Sequence, residues 1–287
     1  MADAAHTGWK RLAIIAGGGE VPLLIAQGEI DAGRNPFIIE VTGFADQDYT
    51  PYERAAYPVT KIGGMQKAMR EAGCDAVCFI GRITRPDFKS LMGLDTAAMA
   101  LLPKITQAAR YGDDALMRVI IDSFEHKGLR AIGADQALAS LVPQAGVLGA
   151  VEPGASALAD IEKALQIARA IGALDIGQGA VVVNGLVLAI EAQEGTDAML
   201  ARIAKLPADI RGKSDGRIGV LAKTPKPQQE RRIDLPTIGI RTIDGVSRAG
   251  LAGIAIHAGS ALIPRRDETI AAADAAGIFI YAARADE

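Results

Sequence analysis

Hydrophobic residues in the first half of the chain fall in short, nearly unbroken runs separated by longer amphipathic or polar stretches. Leu12–Ala16, Phe37–Val41 and Ala76–Ile80 are such runs, the pattern of strands covered on both faces. Between them the chain reads as helix. Pro22–Gln27 opens one, since proline is favoured in a first turn. Asp95–Arg110 and Asp113–Lys127 are two more, the second with a capping start at Gly112-Asp113-Asp114 that sets acids near the positive end of the helix dipole. Leu129–Ile132 predicts a further short strand. Strands alternating with helices imply a parallel sheet with helices on its faces.

The pattern changes around residues 140–155, where Pro, Gly, Ala and Ser dominate and charges are few. A domain linker is placed here, giving an N-terminal domain over 1–145 and a C-terminal domain over 146–287. The second domain begins with an amphipathic helix, Ala157–Ile171. Gly179–Ile190 then reads as a hairpin, two apolar runs on either side of Asn184-Gly185. A strand end passing into a helix follows in EAQEGTDAMLARIAKL, and Gly219–Lys223 is a short strand before a long loop. Leu251–His257 and Ala261–Ile263 read as strands, Thr269–Ala276 as a helix and Ile278–Tyr281 as a last strand. The expected class is α/β in two domains, a Rossmann-like parallel sheet followed by a mixed α/β domain.

Composition adjusts this picture at a few points. A length of 287 residues lets each of two domains bury its own core. Thirty-one basic residues against 34 acidic ones leave a formal charge of -3, and no long basic run occurs. That balance gives no support to nucleic-acid binding or to a membrane held mainly by charge. The start, MADAAHTGWKR, lacks the form of a secretory signal, and no apolar stretch is long enough to span a bilayer. A soluble cytosolic enzyme is expected. Cys74 and Cys78 lack the partners of a zinc site and read as buried thiols. His6, His126 and His257 suggest no nucleophilic triad, and no serine has the glycine-flanked elbow of an esterase.

Several constellations could carry chemistry. Gly17-Gly18-Gly19 lies between a strand and a helix, where glycines admit close approach and helix-terminal amides favour an anion. The loop half-matches a dinucleotide fingerprint, with Pro22 where the third glycine belongs and Glu40 about where a ribose-binding acid sits. An NAD(P)-dependent oxidoreductase is therefore an alternative. Arg82, Arg85 and Asp87 follow a strand, at the usual ligand-facing end of a parallel sheet. Glu191, Glu194 and Asp197 recur every three residues beside Thr196, a candidate helix cap. Solvated acids on a capped helix and a carboxylate set for magnesium both fit that spacing. The densest signal is LAKTPKPQQERRIDLPTIG, in which Lys223, Lys226, Arg231 and Arg232 precede Asp234 in a proline-stiffened loop. Cations to offset phosphate charge and an acid to hold metal or orient water are what phosphoryl transfer requires. A solvated basic loop would look the same by charge alone.

Taken together, IAGGGEVPLLIA, RPDF, GDDALMR, LDIGQGAVVVNGLVLAIEAQEGTDAML, KPQQERRIDLPTIG and GLAGIAIHAGSALI resemble the UDP-2,3-diacylglucosamine pyrophosphatases of lipid A biosynthesis, the type unrelated to metallophosphoesterases. The resemblance covers nearly the whole chain and is densest between Asp175 and Gly239. It implies two domains with the lipid product bound between them. It implies magnesium-dependent hydrolysis to UMP and 2,3-diacylglucosamine 1-phosphate (lipid X), with water attacking the lipid-side phosphorus, in a Gram-negative bacterium. On the matching residues it implies Asp234, Glu194 and Lys223 as catalytic groups and Asp234, Asp197 and Glu194 as magnesium ligands. Gly17, Gly18, Gly19, Arg85, Gln193, Thr196 and Thr237 would contact substrate. A lipid substrate implies transient contact with the inner-membrane surface, and a homodimer is the ordinary expectation for a soluble enzyme. A non-catalytic lipid-sugar carrier is the remaining alternative.

Overall fold

The computed structural model describes residues 8–84, 93–228, 230–233 and 235–284. The chain divides into two compact units, Met1–Ala139 with Glu230–Asp234, and Ser140–Gln229 with Leu235–Glu287.

In the first unit the elements run β1 (Leu12–Ala16), α1 (Val21–Asp31), β2 (Phe37–Val41), β3 (Glu53–Tyr57), α2 (Ile62–Glu71), β4 (Ala76–Ile80), α3 (Thr96–Ala108), α4 (Asp113–Glu125), β5 (Arg130–Ala131) and the short α5 (Ala134–Ala137). The strands form one parallel sheet in the order β3-β2-β1-β4-β5. Every residue of β1 is buried, as a central strand covered on both faces requires. Pro22 sits in the first turn of α1, where its missing N–H costs nothing. Asp95 caps α3 by accepting the Ala98 amide at 2.9 Å, and its other oxygen takes the Gly64 amide at 3.0 Å. One face of the sheet packs Ile15, Ile39 and Val77 against Met65, Met69, Ile121 and Phe124. Phe79 meets Phe124 edge-on, with ring centroids 5.1 Å apart. Ile233, from the returning segment 230–233, packs against the same core.

In the second unit the elements run β6 (Gly146–Leu148), α6 (Ala155–Ala173), β7 (Gly179–Val183), β8 (Leu186–Ile190), α7 (Gly195–Ile203), α8 (Ala208–Arg211), the small ribbon β9 (Gly212–Lys213) and β10 (Gly216–Arg217), β11 (Val220–Lys223), α9 (Ile240–Arg248), β12 (Gly253–His257), α10 (Arg266–Ala275) and β13 (Phe279–Ala283). Its main sheet has the order β6-β13-β12-β11-β7-β8, with β11, β12 and β13 parallel and the flanking pairs antiparallel. The hairpin expected at Asn184-Gly185 forms, with both residues left-handed at φ 49° and 76°. The buried Asp160 carboxylate accepts both turn amides, at 3.0 and 2.7 Å.

Alternation along the strands assigns the two faces. Ala180, Val182, Val220, Ala222 and Ala255 pack under α6 through Ile161, Ala164, Leu165 and Ala168. Val181, Val183, Leu221, Ile254 and Ile256 pack under α7, α9 and α10 through Met199, Leu200, Ile243, Val246 and Ala273. Gly245 lets α7 and α9 approach, because a Cβ there would stand 2.8 Å from Leu200 Cδ1.

Several elements differ from the sequence reading. Ala261–Ile263 is not a strand, and only Leu262 pairs, in a single bridge to Thr237. Pro236 and Pro264 lack the N–H donors that a longer ladder would use. Gly146–Leu148, inside the stretch read as linker, is instead the edge strand β6. The edge strand β3 and helices α2 and α9 carry no prediction. Among the described residues no helix is long and apolar enough to cross a membrane.

Candidate functional site

The carboxyl ends of β11 and β12, in the second unit, gather the polar residues that the sequence reading singled out. Open α/β sheets bind ligands at this edge. Lys223 ends β11 and is 6% exposed, with Nζ donating to the Thr237 carbonyl at 3.2 Å. Thr237 is placed there by the bridge to Leu262, whose amide donates to Pro236 O at 2.8 Å and whose carbonyl accepts the Ile238 amide at 3.0 Å. The LPTIG segment is thus stitched beside the lysine by backbone bonds on both sides. The Thr237 hydroxyl is exposed and donates to Leu235 O at 3.3 Å.

Glu191 follows β8, and its amide donates to Gly179 O at 2.8 Å, carrying the ladder one step further. Its side chain is buried and occupies the space that a side chain at Gly179 would fill: a Cβ there would lie 2.4 Å from Glu191 Oε2. Thr196 donates its hydroxyl to the same oxygen at 3.1 Å. Gly179 pairs with Lys223 across the β7–β11 ladder, so Glu191, Thr196 and Lys223 share the α7/α9 side of the sheet edge. In this partly desolvated corner the ammonium can offset phosphate charge and hydrogen-bond its oxygens, while the carboxylate orients the Thr196 hydroxyl.

The acid series is pulled apart rather than brought together. Thr196 is not the cap of α7. Glu194 holds that position, without a side-chain cap bond, while the Thr196 hydroxyl goes to Glu191. Glu194 pairs with Arg202 at 2.9 Å, and its own backbone amide, then Arg202, hold its carboxyl below the usual range. Asp197 pairs with Arg241, both exposed, and Gln193 lies exposed in the turn before α7. Helical spacing points these acids in different directions. Among the described residues no three His, Cys, Asp or Glu side chains converge on a metal position. Glu194 and Asp197 therefore do not fit a shared magnesium seat as they stand. Asp234 lies outside the described residues.

The basic loop is dispersed as well. Lys226 pairs with Asp175 at 2.6 Å in the second unit. Arg232 belongs with the first unit, where it pairs with Glu230 and Glu125, each at 2.8 Å. These carboxylates drive its pKa up, the Glu230 hydrogen bond most strongly. Only Lys223 of the four cations is buried at the sheet edge.

In the first unit Gly17, Gly18 and Gly19 sit at the carboxyl end of β1, beside the β1–β4 point where strand order reverses. Their amides are already used: Gly17 on Ile80 O and Gly18 on Arg82 O, both at 2.9 Å, and Gly19 on Asp46 Oδ1 at 2.8 Å. The glycines have a packing reason, since a Cβ at Gly17 would stand 2.7 Å from Arg82 O and 2.8 Å from Gly81 C. Asp46, which the sequence reading did not single out, has its carboxyl held low by Gln47 first and then by the Gly19 amide. Glu40 pairs with Arg54. With its amides spent and its acid engaged, the loop offers a dinucleotide little of the fingerprint chemistry. Arg85 and Asp87 lie outside the described residues. His257 ends β12 half-buried, with burial and then the Arg169 charge lowering its pKa.

Comparison with known proteins matches both units to one family. Residues 11–141 match the family model "LpxI N-terminal domain" and residues 144–281 match "LpxI C-terminal domain". The UDP-2,3-diacylglucosamine pyrophosphatase LpxI of Caulobacter vibrioides is 50% identical over 271 residues, 94% of this chain and 96% of its own length. The chain, with both domains matched in order and half of the 271 aligned residues shared with that relative, belongs to the LpxI family.

Proposed function

We propose that this protein hydrolyses UDP-2,3-diacylglucosamine to 2,3-diacylglucosamine 1-phosphate and UMP, in lipid A biosynthesis. The name of its Caulobacter relative supports the substrate. The observation that carries the reading in the structure is Lys223, a buried cation at a sheet edge, held against the LPTIG segment by the Thr237 carbonyl. Burial of this ammonium in a partly desolvated corner strengthens its attraction for a diphosphate.

In this reading a water oxygen bonds to the lipid-side phosphorus as the bond from that phosphorus to the bridging oxygen breaks. UMP departs with the bridging oxygen, and the water proton passes to Asp234. Lys223 offsets the charge that builds on the phosphate oxygens, and the Thr196 and Thr237 hydroxyls donate to them by turning away from Glu191 and from the Leu235 carbonyl. Glu194 and Asp197 could join only by releasing Arg202 and Arg241. Magnesium, when bound, would screen the diphosphate charge, and Asp234 is the residue of this chain that would hold it. Gln193 would add a contact from the turn before α7. Transient contact with the inner-membrane surface follows from a lipid substrate, and vesicle sedimentation tests it. A homodimer is testable by light scattering.

The test is turnover in heavy-oxygen water with magnesium, both products being weighed. UMP release with label on the lipid phosphate is expected. Label on UMP would overturn the site of attack, and absence of release from folded protein would favour the carrier. Asp234→Ala and Lys223→Met should both stay folded and lose at least a hundredfold in kcat, in the range seen for loss of one electrostatic contact. Near-normal turnover by either variant would remove that residue from the mechanism.

A further inference from the structure

On the opposite face of the same sheet edge, two polar groups are buried without partners. Thr224 is 2% exposed, and its Oγ1 makes no hydrogen bond; the Gln178 Oε1 atom is likewise buried and unpaired. They are neighbours. The Thr224 amide donates to Gln178 O at 3.0 Å, one step beyond the Lys223–Gly179 pair. Residues opposed in this way on antiparallel strands stand side by side on one face. Alternation puts that face on the α6 side, away from Lys223 and Glu191. Buried polar atoms in native proteins nearly always find a partner. Two orphans side by side, at the carboxyl end of β11, set an acceptor next to a hydroxyl.

We propose that Gln178 and Thr224 form a substrate subsite that takes a sugar hydroxyl. The ligand O–H donates to Gln178 Oε1, and the Thr224 hydroxyl donates to the ligand oxygen, so one group satisfies both orphans. The inference rests on the proposed hydrolase reading for its ligand. That substrate carries sugar hydroxyls on both sides of the diphosphate, on the ribose and on the glucosamine.

Thr224→Val, which keeps shape and removes only the hydroxyl, is the test, with Gln178→Leu as a second variant. Because the hydroxyl loses no partner in the free protein, melting temperature should hold or rise. KM should rise about tenfold with kcat nearly kept, as for a binding contact of about 1.4 kcal/mol. Calorimetric titration with UMP and separately with 2,3-diacylglucosamine 1-phosphate assigns the source, since only the product carrying the recognised hydroxyl should bind more weakly. A lower melting temperature with unchanged KM in both variants would overturn the proposal and indicate an internal water or a purely structural pair. Unaltered binding of both products would overturn it too. Were the wild type to show no hydrolysis while the variants still weakened binding of one product, the hydrolase reading would fall and the subsite would stand.

Discussion

Gly179→Ala tests the geometry of the site through its tightest contact. Two effects oppose each other. Alanine is the better strand residue, a gain of about 0.5–1 kcal/mol over glycine. Against it, the new methyl would stand 2.4 Å from Glu191 Oε2 and 3.4 Å from Glu191 Cβ. Glu191 cannot swing into solvent freely, because it is only 6% exposed and accepts the Thr196 hydroxyl at 3.1 Å. Overpacking costs about 1–3 kcal/mol, and a lost hydrogen bond to a charged group about 1.5–3 kcal/mol. The steric and polar losses win, leaving a net destabilisation of about 2–5 kcal/mol. Calorimetric melting of the full chain reads it as a drop on the order of 5–15 °C in the transition of the second unit. The double-mutant cycle decides the cause. In a Glu191→Ala background the carboxylate is gone, so Gly179→Ala should become neutral or slightly stabilising. Equal costs in both backgrounds would refute the argument, as would a single-mutant loss below about 0.5 kcal/mol. Turnover should fall in Gly179→Ala, since the displaced carboxylate moves Thr196 beside Lys223.

Other features are open to direct measurement. The Arg232 hydrogen bond holds the Glu230 carboxyl below its ordinary value of 4.5. Its stabilisation is complete above that value and fades as pH falls through the lower folded value, so Glu230→Gln should cost up to about 1 kcal/mol at pH 7. The difference should vanish in acid; a difference independent of pH would contradict the assignment. Burial pushes the Cys74 and Cys78 thiols up to about 11 and about 12. Neither should react with a thiol reagent at neutral pH until urea unfolds the first unit, and rapid labelling of the native protein would contradict their burial.

How much of this was legible beforehand depended on whether a signal was local. Runs buried on both faces, such as LAIIA, announced their strands because every residue must be apolar. Asn184-Gly185 announced its turn because two successive left-handed residues favour that pair. The strand β3, ERAAY, gave no such pattern, since an edge strand half in water need not alternate cleanly. Helix α9, IRTIDGVSR, is weak by propensity and stands because Ile243 and Val246 meet α7 across Gly245.

The sequence by itself determined the α/β class, the family and the stretches rich in reactive residues, because periodicity, turn chemistry and motif order are properties of neighbours along the chain. Which of those residues meet was decided only by the tertiary structure. Three acids at even spacing look like one metal site, yet the turn into α7 sends Glu194 to Arg202, Asp197 to Arg241 and Glu191 inward to Thr196. Four cations in one loop look like one phosphate clamp, yet only Lys223 is buried at the sheet edge, while Lys226 is held by Asp175 and Arg232 by Glu230 and Glu125. The orphaned pair at Gln178 and Thr224, 46 positions apart in the numbering, exists only because β7 and β11 run side by side. Hydrogen-bond satisfaction is a property of neighbours in space, and strand pairing, not chain order, chooses them.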